Sequence, residues 1–297
     1  MKRFHPNPYL LLSLTALFWA GNMVMGRGIR GDVPPIALAF WRWTIALCLV
    51  LPFALPHLRS QWPRLRAAWR PLLALGILGV GCYNTFAYLA LQYTTATNAT
   101  LLNSFIPVAT IALAFTFLGK RLHRLEAAGV LVSLTGVVII VCHGDLNTLL
   151  RLSLNAGDLW MLCAVLTWGL YTVGLQWRPQ GVHPMLMLAA LTVVGLLVLA
   201  PVYLWEIASG RHIALSAPAL GGILYTGIFP GFLGYVFYNA GVAAVGPNRA
   251  SLFIHLMPVF GIILAAIFLG ERPMTYHFLG IALVFGGIVL TTRRPAT

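Results

Sequence analysis

Apolar residues run through this chain in ten blocks, separated by short polar, glycine or proline breaks. A membrane-spanning helix needs about 20 consecutive, mostly apolar residues. On that measure the pattern predicts spans over approximately Tyr9–Met25, Pro35–Leu55, Pro71–Tyr93, Asn98–Gly119, Glu126–Cys142, Gly157–Trp177, Pro184–Trp205, Leu220–Val242, Ser251–Gly270 and Tyr276–Thr292. Pro35, Pro71 and Pro184 fall where a first helical turn tolerates proline. Pro107 and Pro258 fall inside spans, where each removes a backbone hydrogen bond and loosens the helix.

The pattern repeats. Asn103–Arg121 (NSFIPVATIALAFTFLGKR) returns as Ile254–Arg272 (IHLMPVFGIILAAIFLGER). Pro107 and Pro258, Gly119 and Gly270, Arg121 and Arg272, Gly129 and Gly280, and Gly136 and Gly287 are all 151 residues apart; Trp19 and Trp168 are 149 apart. One unit of about 150 residues used twice predicts two five-helix halves, residues 1–146 and 147–297. Five crossings is an odd number, so consecutive copies must run through the membrane in opposite directions. That is an inverted-topology repeat, a plan whose substrate sites lie near the midplane between the copies.

Composition agrees. The chain is 60% hydrophobic and 8% charged, with a mean hydropathy of +0.87; a soluble domain carries about 25% charged residues. A net charge of +13 would suit nucleic acid, but the basic residues lie in short loops between apolar spans and set topology instead. Thirteen lysines and arginines (Lys2, Arg3, Arg59, Arg64, Arg66, Arg70, Lys120, Arg121, Arg124, Arg178, Arg249, Arg293 and Arg294) fall on one side, and five (Arg27, Arg30, Arg151, Arg211 and Arg272) on the other. The excess places both termini in the cytoplasm. The basic N-terminus and its long apolar run read as a retained first helix. Cys48, Cys82, Cys142 and Cys163 sit in or beside spans without a C-x-x-C pair, so neither a disulfide nor a metal is expected.

Catalytic signatures are missing: there is no H-E-x-x-H, no G-x-S-x-G and no Walker loop. The six acidic residues all lie at or near span ends. Arg42 falls inside the second span, roughly 10 Å deep at 1.5 Å per residue. An intramembrane charge is a functional candidate, here for a substrate carboxylate; at that depth it also has the option of snorkelling to the outer interface. His255, one turn before Pro258, suits proton exchange or donation to a substrate, or a neutral role bonded to a carbonyl that the proline frees.

Uncharged polar and aromatic groups say more. Trp19 and Asn22, Tyr83 and Asn84, Asn103, Trp168 and Tyr171, and Tyr235, Tyr238 and Asn239 all fall well inside spans. Trp19/Asn22 and Trp168/Tyr171 share the three-residue spacing of one helix face. Interfacial belts explain Tyr93, Trp177 and Trp205 but not Trp19 or Trp168. A buried amide needs a partner or a wet cavity. These residues predict a cavity lined by the first, third, fourth, sixth, eighth and ninth spans. Glycine clusters at Gly76/Gly79/Gly81 and Gly227/Gly231/Gly234 allow close packing or a bend at Pro230-Gly231.

The Pro-Val motifs with F-L-G-K-R and F-L-G-E-R, Leu38–Trp43 (LAFWRW), Ala16–Gly21 (ALFWAG) and the terminal F-L-G-I-A-L-V-F-G-G-I-V-L resemble the EamA family of the drug/metabolite transporter superfamily. The resemblance spans nearly the whole chain. It implies an all-α protein of ten helices in two inverted five-helix repeats, exporting metabolites across the bacterial inner membrane. Within the family the chain is most similar to aromatic amino-acid exporters. Lys120 departs from the family pattern, which often has an acidic residue after Leu-Gly in both halves; only Glu271 keeps it. The expectation is alternating-access export of aromatic and other neutral amino acids, with Trp19, Trp168 and Tyr171 as walls and Asn22, Asn84 and Asn103 on the polar groups. No cofactor is expected. The partners are a small-molecule substrate and membrane lipid, not nucleic acid, and the chain is expected to work as a monomer. An exporter of drugs or organic cations remains an alternative, since cation–π contacts use the same aromatic side chains; a membrane-embedded enzyme is a more remote one.

Overall fold

A computed structural model describes residues 7–94, 96–145, 147, 155–269 and 274–292. Among the described residues, ten helical spans are long and apolar enough to cross a membrane: α1 (Pro8–Gly28), α2 (Pro35–Ala67), α3 (Trp69–Tyr93), α4 (Ala99–Leu118), α5 (Arg124–Val141), α6 (Ala156–Trp177), α7 (Pro184–Ala208), α8 (Ala217–Val245), α9 (Pro247–Leu264) and α10 (Thr275–Thr292). The described residues contain no strand. Helices are what the bilayer dictates, because every backbone group must be satisfied within its own segment.

The apolar pattern placed these helices within a few residues, with one large exception. α2 runs 33 residues through Pro52, Pro56 and Pro63 to Ala67, well beyond Leu55. That is about 50 Å of helix, against a hydrocarbon core of about 30 Å. Its basic end reads as a loop from composition, but Leu65 is buried and Arg64 Nη1 donates to the Gly181 carbonyl at 2.7 Å. The helix therefore leaves the apolar layer and rests on the loop after α6. Arg249, counted above as a loop charge, is also repositioned: it lies buried within α9 and pairs with Glu126 at 3.2 Å. Lys2, Arg3, Arg151, Glu271, Arg272, Arg293 and Arg294 lie outside the described residues.

Both copies of the repeated pattern deform at matching places. α3 contains a π-helical turn over Gly76–Cys82 and α8 another over Gly227–Leu233, each of seven residues. α4 is broken between a helix over Ala96–Asn103, which starts just ahead of the span, and one over Ile106–Leu118. α9 is likewise broken by a 3₁₀ turn between Pro247–Leu252 and a helix over Leu256–Leu269, which runs on past the span. The breaks fall just before Pro107 and Pro258, whose missing N–H cannot continue the ladder. Packing follows the same register. α3 packs on α6 and α8 on α1, α4 on α6 and α9 on α1, while α2 pairs with α7 and α5 with α10. Glu206 of α7 ties the α2–α7 pair by accepting from the first backbone amides of α2, Ile36 N (3.2 Å) and Ala37 N (2.7 Å).

The α5–α10 crossing depends on glycine. A Cβ on Gly287 would meet Ser133 Cβ and N at 2.6 Å, and one on Gly136 would meet the Gly280 carbonyl at 2.6 Å. Gly286, its neighbour, has nothing within 4 Å of such an atom. Gly287→Val is therefore expected to lose roughly 1–3 kcal/mol of stability, the usual range for overpacking, with Gly286→Val close to the parent. The monodisperse fraction after heating in detergent checks this. Equal stabilities would mean that the crossing is looser than described.

Candidate substrate-binding site

α1, α2, α3, α6 and α8 deliver a ring of aromatic and polar side chains to one buried centre. Trp168, fully buried, is its middle. Its ring lies 4.6 Å from Tyr83, 4.9 Å from Trp19, 5.1 Å from Tyr171 and from Tyr238, and 5.4 Å from Tyr235, by centroids. Edge-to-face and tilted arrangements predominate, as the ring quadrupole prefers. The helix deformations position this cluster: Trp19 Nε1 donates to the Pro230 carbonyl at 3.2 Å, and the Tyr235 hydroxyl donates to the Gly79 carbonyl. Pro230 and Gly79 both lie in π-helical turns, where the displaced backbone offers carbonyls to side chains.

The cluster's hydroxyls and amides are paired. Trp168 Nε1 donates to Tyr238 Oη at 3.3 Å, and Thr172 shares a 2.9 Å bond with the same hydroxyl. Tyr171 donates to Asn239 Oδ1 at 2.8 Å, and Tyr83 to Asn103 Oδ1 at 3.1 Å. Asn103 Nδ2 reaches Met257 Sδ at 3.7 Å. The sequence predicts a cavity here. In this conformation the rings touch one another and fill the space.

Arg42 does not snorkel. It is 1% exposed and points into the cluster. Its Nη1 donates to Asn84 Oδ1 (2.6 Å), Tyr88 Oη (3.0 Å) and Asn22 Oδ1 (3.2 Å). Asn84 Nδ2 passes the network to Tyr235 Oη at 3.3 Å. Arg42 Nε is buried with no partner. No carboxylate among the described residues pairs with this guanidinium, the one ion pair there being Arg249–Glu126. Three neutral oxygens and the face of Trp43, whose ring centroid is 5.3 Å from Arg42 Cζ, hold this cation without the counter-charge that usually offsets desolvation.

His255 stands apart from the aromatic rings. Its Nε2 lies 2.8 Å from the Ser104 carbonyl and its Nδ1 lies 2.6 Å from the Ser133 hydroxyl. A carbonyl only accepts, so Nε2 carries the proton and Nδ1 accepts from Ser133. The carbonyl is not one freed within its own helix, as the sequence suggests, but one at the break in α4. Ser104 and His255 are 151 residues apart, as are Asn84 and Tyr235. Positions equivalent in the two copies thus meet each other, the contact expected at an axis relating them.

Sequence reasoning missed Tyr88 and Ser104. Tyr88 is one helical turn after Asn84, on the same face, and Ser104 is the repeat equivalent of His255, so both were within reach of the spacing. Ser133 carried no such signal, because its role comes from a helix distant in the chain.

The EamA-like transporter family matches residues 7–142 and again 155–293. The chain belongs to the EamA-like transporter family. An "Uncharacterized transporter YyaM" of Bacillus subtilis (strain 168) is 26% identical over 96% of this chain and 93% of its own. An "Uncharacterized transporter" of Archaeoglobus fulgidus is 29% identical over 96% and 97%. A "Probable terminal-alkyne amino-acid exporter" of Streptantibioticus cattleyicolor is 28% identical over 95% and 92%. A crystal structure 20% identical superposes with a TM-score of 0.76, covering 95% of this chain and 96% of that one; at this identity the likeness is one of fold. This EamA-family chain is a multi-pass membrane transporter.

Proposed function

We propose that the chain exports neutral amino acids, aromatic ones foremost, across the bacterial inner membrane by alternating access. Arg42 carries the reading: a buried guanidinium with an unpartnered Nε and no counter-ion among the described residues suits a substrate carboxylate. The clustered rings of Trp19, Trp168, Tyr83, Tyr171, Tyr235 and Tyr238 suit the side chain, entering as they part. Asn22, Asn84 and Asn103 would exchange their present partners in the cluster for the amino group and remaining oxygens. The exporter name of the Streptantibioticus relative supports amino acids and outward movement. Organic cations fit poorly, since Arg42 repels them at the place where the rings would hold them.

The matching deformations 151 residues apart support two five-helix halves; the odd number of crossings in each gives them opposite orientations, and the lysine and arginine bias supports cytoplasmic termini. Reporter fusions after Arg124 are then cytoplasmic and those after Asn147 periplasmic. A periplasmic C-terminus would sink the inverted plan.

Counterflow in liposomes tests the substrate. Tyrosine, tryptophan and phenylalanine are expected to exchange, and tyramine, which lacks the carboxylate, is not. Among the described residues no carboxylate lines the cluster, and both His255 nitrogens are occupied, so an imposed pH gradient should drive no accumulation. Cation flux without amino-acid flux would overturn the substrate. Strong pH-driven accumulation would overturn the uncoupled mechanism and make His255 the relay to test.

A further inference from the structure

Beyond the aromatic cluster a chamber of about 360 Å³ opens between α1, α4 and α9, within the size range of small-molecule sites. Ala20, Met23 and Arg27 line it from one face of α1, Thr100 from α4, and Met257 and Pro258 from α9. Its wall is otherwise apolar. Arg27 sits in the last turn of α1, where free carbonyls stand close by, yet its Nη1 is buried and donates to nothing. The chamber adjoins the cluster through one contact: Met257, which lines it, accepts from Asn103, which also holds Tyr83.

The equivalent place in the other half is shut. The repeat carries Ala20 onto Gly169 and Pro258 onto Pro107. There Gly169 lies against Leu113 and the backbone of Thr110, and the Pro247–Leu252 helix packs on Ile106–Leu118. Among the described residues the chamber is therefore open here, at the C-terminal end of α1, and closed at Gly169. The C-terminal end of α1 is the outer side in the orientation proposed above.

We propose that this chamber is a second substrate station, which takes a small amphipathic monocarboxylate with its carboxylate on Arg27 and its side chain against the apolar wall. Resting on the amino-acid reading, it makes Arg27 the last polar contact of an amino acid leaving the central cluster. A carboxylate supplies the acceptor that Nη1 lacks, and the bare wall of α9 accepts a ring or an alkyl chain without discriminating between them.

The test places one thiol in the chamber, Thr100→Cys, in a full chain whose four native cysteines are replaced. It is reconstituted in neutral phosphatidylcholine vesicles and labelled with a small maleimide. Phenylalanine and 3-phenylpropionate are expected to slow labelling severalfold, phenethylamine not, and Arg27→Gln to shift half-protection upward by about tenfold, the effect of losing one charge-assisted contact. Arg27→Lys should restore part of it. Protection by phenethylamine, or protection unchanged in Arg27→Gln, would overturn the station. So would a thiol already shielded, without added carboxylate, on including phosphatidylglycerol: a lipid headgroup would then be the occupant. Carboxylate protection in a chain that moves no amino acid would uphold the chamber and dismiss the transport reading. Amino-acid flux without protection would do the reverse.

Discussion

Arg42→Gln is expected to cut amino-acid counterflow by roughly a hundredfold while leaving the folded chain at least as stable as the parent. Two effects of opposite sign make the case. The guanidinium is buried and has three neutral acceptors but, among the described residues, no carboxylate. Removing an uncompensated buried charge relieves desolvation that costs several kcal/mol, which offsets the hydrogen bonds lost. Substrate binding loses its only opposite charge, a change that costs about 2–5 kcal/mol at buried, hydrogen-bonded pairs. Arg42→Lys keeps the charge but gives up the guanidinium's donors beside Nη1, the unpartnered Nε among them, so it should retain a fraction of the flux. Initial counterflow rates and melting in detergent separate the outcomes. Normal flux in Arg42→Gln would make the guanidinium a structural tie. A large fall in stability would show that it holds α1, α2 and α3 together instead of waiting for substrate.

Trp168→Ala carries the second large effect: aromatic amino-acid flux falls tenfold or more, and leucine flux falls less. Trp168 touches five other aromatic rings. Stacking contributes about 0.5–1.5 kcal/mol per ring pair beyond burial, and one substrate ring facing Trp168 would lose at least that. Truncation also opens a cavity, which costs about 3–5 kcal/mol in well-packed proteins. Trp168→Phe separates the two causes, because it keeps a ring and gives up only the bond to Tyr238 and part of the volume. It should preserve most of the flux. Trp205→Ala is the control, since that side chain is 66% exposed at a span end. Equal losses for aromatic and leucine flux would mean that the ring cluster is a packing core and that selectivity lies elsewhere.

Much of the site was legible before any coordinates. Arg42, Asn22, Asn84, Tyr83, Trp19, Trp168, Tyr171, Tyr235 and Tyr238 stood out because polar and aromatic groups far inside apolar spans are costly unless partnered, and the structure brings all nine into one network. Asn103 joins through Tyr83. His255 does not join the rings; it is tied to α4 and α5 instead. Which way Arg42 points was not legible, because a side chain at that depth reaches either the interface or the interior, and only the rotation of α2 about its own axis decides between them.

The amino-acid sequence by itself determined the ten crossings, since the bilayer's thickness translates directly into run length, and it determined the register of the duplication, since equal spacing needs no third dimension. The tertiary structure decided what lies across from what. The two π-helical turns bend α3 and α8 so that the carbonyls of Gly79 and Pro230 meet Tyr235 and Trp19. The packing of α4 and α9 opens a chamber at Arg27 and closes its counterpart at Gly169. Helical periodicity marks a face and a length, but contacts between helices depend on bend, crossing angle and axial rotation, which arise only when all ten pack together.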